Sequence, residues 1–135
     1  MQWHEIHLPA SSTAPRAARE FLRDALATQD LDGFGDLSEL LTTELVANVV
    51  DHVGSAITMR VSTSAGVLRV EVDDTSCDVP AVFDQDPETP RGNGMLLVDG
   101  LATRWGVEPR PAGKTVWFEL DVATATDEVH GGDGR

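Results

Sequence analysis

Three patterned stretches of this sequence indicate an α+β domain. Apolar residues recur at helical spacing over residues 13–27 and again over 36–53. Two strand-like runs follow, at 56–63 and 67–73. Two more runs of the same kind, 105–107 and 115–122, close the patterned part of the chain. At 135 residues, 41% of them hydrophobic, the chain suits one domain with one ordinary core. The domain is expected over residues 1–122. The segment 123–135 has no periodicity and reads as a disordered tail.

In chain order, Gln2 to Leu8 alternates weakly, with Ile6 and Leu8 on one side, and reads as a first strand. Ser12 or Thr13 can cap a first helix that carries Pro15 in its first turn and Ala18, Phe21, Leu22, Ala25 and Leu26 on one face. Residues 29–35, QDLDGFG, are turn formers and read as a loop. Asp36 with Glu39 three residues on resembles a capping box opening the second helix. The runs Ala56 to Thr63 and Val67 to Asp73, separated by Ser64-Ala-Gly66, predict a hairpin. From Thr75 to Gly94 the composition turns to Asp, Pro, Thr, Gly and Asn; a segment this long without pattern inside a compact domain is more often functional than idle. Met95 to Leu101 reads as a short helix, and the last two strands are joined by a turn from Pro109 to Gly113.

A formal charge of −13 and no run of Lys or Arg exclude a direct nucleic-acid surface. The apolar runs are too short to cross a bilayer. The lone Cys77 cannot form an internal disulfide, and Met1 is followed by Gln-Trp-His-Glu instead of a basic, then apolar, leader. The expectation is a cytoplasmic protein. Arginine outnumbers lysine nine to one, the bias of a GC-rich bacterial genome.

Three separated pieces carry chemistry. In ELVANVVDH, residues 44–52, Glu44, Asn48 and His52 fall near one face of an otherwise apolar helix. Asn48 offers a neutral amide oxygen to a hard cation such as Mg²⁺, and Glu44 one turn earlier can accept a proton from an attacking hydroxyl. Asp74, at a strand end, is acceptor-only when ionised and can read the exocyclic amine of a purine. Gly92-Asn-Gly94, just before a helix, lets backbone amides approach an anion. Each piece alone also fits a solvated helix face, a turn or a loop; their order is what favours a site.

That ordered set resembles the GHKL ATP-binding superfamily, and most closely the small bacterial anti-sigma-factor serine/threonine kinases and their actinobacterial ATP-binding relatives. ELVANVVDH is similar to the N box, VEVDDTS (70–76) to the first glycine box, RGNGMLLVDGLATRWGV (91–107) to the second, and GKTVWFEL (113–120) to the final strand. The resemblance covers roughly residues 3–122. It implies a two-layer α/β sandwich of the histidine-kinase-like ATPase (Bergerat) type, with helices on one face of a mostly antiparallel mixed sheet. It further implies ATP and Mg²⁺, with Asn48 on the metal, Glu44 as catalytic base and Asp74 on adenine. Gly92 and Gly94 would shape the phosphate-side loop, and Thr115 would support the adenine end beside Asp74, with a bridging water. Ser76, Asn93 and Met95 join the nucleotide-binding set, and Cys77 to Pro90 would form a lid.

Implied partners are an anti-sigma-factor antagonist as substrate and, by partner switching, a sigma factor; a homodimer is compatible with the resemblance. The alternative is a non-catalytic, nucleotide-gated protein-binding module of the same fold. The sequence departs from the pattern at Ser76 and Asp78, where glycines are common, at Asn93 for an arginine, and at Asp51 for a residue often basic. The last two changes make the site more acidic.

Other features carry less. Trp3-His-Glu-Ile-His7 mimics a zinc-protease motif one residue short, but a strand sends His4 and His7 to opposite faces, against a metal site. His52 fits either a group that helps position the phosphate side or, more simply, a hydrogen-bonded helix-end histidine; Cys77 lacks an activating neighbour, and Trp105, Trp117 and Phe118 read as core.

Overall fold

The computed structural model describes residues 2–27, 35–76 and 94–121. The order is β1 (Gln2–Leu8), α1 (Ala14–Ala27), α2 (Gly35–His52), β2 (Ile57–Ser64), β3 (Val67–Asp74), α3 (Gly94–Leu101), β4 (Arg104–Arg110) and β5 (Gly113–Asp121). One sheet runs β1-β2-β3-β5-β4. All four of its pairings are antiparallel. This agrees with the mostly antiparallel sheet expected; its mixed part is absent among the described residues, because β3 and β4 run in the same direction but β5 lies between them.

The helices cover one face of this sheet, giving the two layers expected. On α2 the buried side chains are Ser38, Leu41, Thr42, Leu45, Val46 and Val49, one stripe at helical spacing. On α1 they are Ala14, Ala18, Leu22, Ala25 and Leu26. The alanines let α1 approach closely, and Arg23 ties it to α2 through two hydrogen bonds to the Glu39 carboxylate, at 2.8 and 3.1 Å. Glu39 is therefore spent on the neighbouring helix, and the capping box with Asp36 expected from the sequence is replaced by this cross-helix pair. Against the helices the strands present alternate residues: Ile57, Met59 and Val61 on β2, Leu68, Val70 and Val72 on β3, and Val116, Phe118 and Leu120 on β5.

Local signals explain the punctuation. The β2–β3 hairpin turns on Ala65 and Gly66, both left-handed at φ 53° and 77°, as a two-residue type I′ turn requires. Helix α2 ends where Gly54, at φ 71°, donates its N–H to the Val49 carbonyl at 2.7 Å. Pro109 lies inside β4, not in the turn expected from Pro109 to Gly113; β4 is an edge strand, where a missing N–H costs no ladder bond.

The other face of the sheet is polar. Arg60 bridges Glu71 and Asp73, Arg69 bridges Glu71 and Glu119, and Arg104 bridges Glu119 and Asp121. Trp117 lies on this face with the Arg69 guanidinium 4.1 Å above its ring, and Gly106 leaves the space its indole fills. Trp117 is thus not the core residue the sequence reading expected, because its strand position alternates with Val116 and Phe118. Phe118 is fully buried, and Trp105 packs partly buried against the core while donating to Asp99 at 2.9 Å.

Candidate functional site

Glu44 and Asn48 sit on α2 at the border between its buried stripe and solvent, each half-buried. Neither has a hydrogen-bond partner among the described residues. Burial, and secondarily the Asp51 carboxylate, pushes the Glu44 carboxyl above its ordinary value. A half-buried acid of raised basicity, one helical turn from an unpartnered amide oxygen, fits a proton acceptor beside a hard-cation ligand.

Asp74 ends β3 on the helix-covered face. Its Oδ1 accepts the Ser76 N–H at 2.8 Å, so the chain after the strand folds over the carboxylate. Lys114, its register partner on β5, donates to Oδ1 at 3.0 Å and lies 3.0 Å from Oδ2. Both side chains are buried. The strands meet so closely here that a Cβ on Gly113 would lie 1.9 Å from the Asp74 carbonyl oxygen, which explains glycine at that position.

Thr115 stands elsewhere. Its hydroxyl donates to Asp73 and accepts from Arg110 Nε at 2.6 Å, on the polar face of the sheet. The placement beside Asp74 expected for it is filled by Lys114. The reason is strand parity: 114, 116, 118 and 120 face the helices, while 115, 117 and 119 face away. Lys114 was missed, although that alternation with Val116, Phe118 and Leu120 is readable in the sequence.

Among the remaining expected residues, Met95 lies in the first turn of α3, whose backbone begins at Gly94. Gly92, Asn93 and the expected lid from Cys77 to Pro90 lie outside the described residues, as does the tail from 123. His52 is exposed and has no hydrogen-bond partner among the described residues, unlike the bonded histidine expected. His7 is on the polar face, with Nδ1 3.1 Å from the Thr58 hydroxyl, while His4 has the parity of Ile6 and Leu8. Among the described residues no cluster of His, Cys, Asp or Glu could hold a metal by itself. A metal held by one amide oxygen plus ligand phosphates and water is compatible with that observation. No helix among the described residues is long and apolar enough to cross a membrane.

The fold is similar to that in the crystal structure of the RsbU and RsbW domains of Rv1364c from Mycobacterium tuberculosis, with a TM-score of 0.64 at 18% identity over 90% of this chain and 33% of that one. It is also similar to the blue-light activated histidine kinase of Erythrobacter litoralis, with a TM-score of 0.53 at 23% identity over 71% of this chain and 33% of that one. This chain therefore spans about a third of each of those chains. The likeness shows the fold alone: a two-layer α+β sandwich shared with parts of those two proteins. No family model matches the chain, and no curated protein does.

Proposed function

We propose that this chain is an ATP- and Mg²⁺-binding regulator that phosphorylates a serine or threonine of a small anti-sigma-factor antagonist, and by partner switching also holds a sigma factor. The observation that carries the reading is the pair Glu44 and Asn48, half-buried and unpartnered among the described residues, on the helix that packs against the β3 strand ending in Asp74. The fold shared with a histidine kinase and the sequence resemblance to serine/threonine kinases support it.

The site residues divide the work. Asp74 accepts from the exocyclic amine of adenine. Asn48 would hold Mg²⁺, which when bound offsets the charge of the phosphates. Gly92, Asn93, Gly94 and Met95 would bring backbone to the phosphate side. Glu44 takes the proton of the attacking hydroxyl; its raised basicity favours that transfer at neutral pH. The hydroxyl oxygen forms the new bond to the γ-phosphorus, the bond to the β,γ-bridging oxygen breaks, and ADP leaves with that electron pair.

The test is incubation with labelled ATP and Mg²⁺ in the presence of candidate partner proteins. Label appearing on a partner serine or threonine, and lost in Glu44→Ala while nucleotide binding persists, is the expected result. Transfer undiminished in Glu44→Ala overturns the base assignment. Binding without transfer to any partner is the behaviour of a nucleotide-gated binding module.

A further inference from the structure

The adenine end holds a side chain that the resemblance did not assign. Lys114 occupies the place beside Asp74 that was expected for Thr115, and it is a charged donor where that reading placed a hydroxyl and a water. Its ammonium has three N–H donors. The two oxygens of Asp74 lie 3.0 Å away, and the other acceptor within reach among the described residues, the Ser76 carbonyl, is at a longer 3.4 Å. On the acceptor side, Oδ1 takes both the Ser76 N–H and Lys114, whereas Oδ2 takes Lys114 alone among the described residues. One weakly committed donor thus stands next to one open acceptor position. The Watson–Crick edge of adenine presents the complement, an amine donor at N6 beside an acceptor at N1.

Resting on the nucleotide reading above, we infer that Lys114 is a base-reading residue that donates to adenine N1 while Asp74 accepts from N6. Thr115 cannot share in this, because its hydroxyl lies on the opposite face of the sheet and is engaged by Asp73 and Arg110. The glycine required at 113 keeps Lys114 in register with Asp74, since the two strands touch backbone to backbone there.

The experiment is calorimetric titration of the full chain, with Mg²⁺, using ATP and two analogues: 1-deaza-ATP, in which N1 becomes C–H, and 7-deaza-ATP, altered on the other edge of the base. The expected result is binding of 1-deaza-ATP about 10- to 100-fold weaker than ATP, the range of a hydrogen bond from a charged donor, with 7-deaza-ATP close to ATP. In Lys114→Met, with folding checked by circular dichroism, ATP and 1-deaza-ATP should bind alike. Equal binding of ATP and 1-deaza-ATP to the unaltered chain, a penalty for 7-deaza-ATP alone, or discrimination that persists in Lys114→Met overturns the assignment. Absence of any ATP binding at millimolar concentration instead removes the nucleotide reading itself. The analogue panel on the unaltered chain decides the matter even if the variant does not fold.

Discussion

Asp74 and Lys114 are directly opposed on β3 and β5 and form a buried ion pair on the helix-covered face, with residue exposures of 7% and 5%. Such a pair adds little net stability against an apolar substitute, but removing one partner strands the other charge. Asp74→Ala should therefore destabilise the fold by about 3–5 kcal/mol, measured by urea unfolding. A loss well under 1 kcal/mol would mean that Lys114 finds water once its partner is gone.

Thr42 is fully buried on α2 and its hydroxyl has no hydrogen-bond partner among the described residues. A desolvated, unsatisfied hydroxyl costs about 1–3 kcal/mol, and valine has nearly the same shape. Thr42→Val should raise the unfolding free energy by about 1 kcal/mol. A decrease would show that the hydroxyl is satisfied in solution.

Ala65 holds φ 53° in the β2–β3 turn, a conformation that costs a residue with a Cβ about 1–2 kcal/mol. Glycine relieves that strain but loses more chain entropy on folding. Ala65→Asn, which tolerates this conformation, should stabilise the hairpin by about 0.5–1 kcal/mol, read as a higher melting temperature. An unchanged or lower value would argue against the type I′ geometry.

Two carboxylates should give stability opposite dependences on pH. Burial and then Asp51 raise Glu44, so its contribution is fully present below the ordinary carboxylate pKa and is lost as pH rises through the raised folded value. Glu44→Gln should be the more stable protein at neutral pH, by less than about 1 kcal/mol given solvent screening, and should lose that advantage below about pH 4. For Glu119, burial pushes upward, but hydrogen bonds from Arg104 and Arg69 outweigh it and hold the carboxyl below its usual range. Its contribution is present above the ordinary pKa and lost as pH falls through the lowered value, so Glu119→Gln should cost stability at neutral pH and little in acid. Denaturant unfolding of the three proteins across that range checks both signs.

Much of the fold was legible because it rests on local periodicity: β1, α1, α2, the hairpin and α3 lie within a residue or two of their expected places. Glu44 and Asn48 stand out in the sequence as polar residues on an apolar helix, and Asp74 as an acid at a strand end. What escaped depends on pairing between elements, as for Glu39, or on the parity of β5, which residue type and resemblance overrode at Trp117 and Thr115. Glu39 was read as part of a cap because Asp36 is near in sequence, while its real partner, Arg23, is on the other helix. Trp117 was read as core by residue type, while its strand position sends it under Arg69. Thr115 was placed beside Asp74 by resemblance, against a parity that assigns that place to Lys114.

Thermal unfolding of the unaltered chain and of Asn48→Ala, each with and without ATP and Mg²⁺, reads nucleotide and metal binding in one experiment. A ligand at a hundred times its dissociation constant stabilises the folded state by about 2.7 kcal/mol. The prediction is a rise in melting temperature of several degrees with ATP and Mg²⁺ together, with the Mg²⁺-dependent part of that rise absent in Asn48→Ala. A melting temperature of the unaltered chain that does not move at millimolar ATP and Mg²⁺ would show that the chain does not bind the nucleotide.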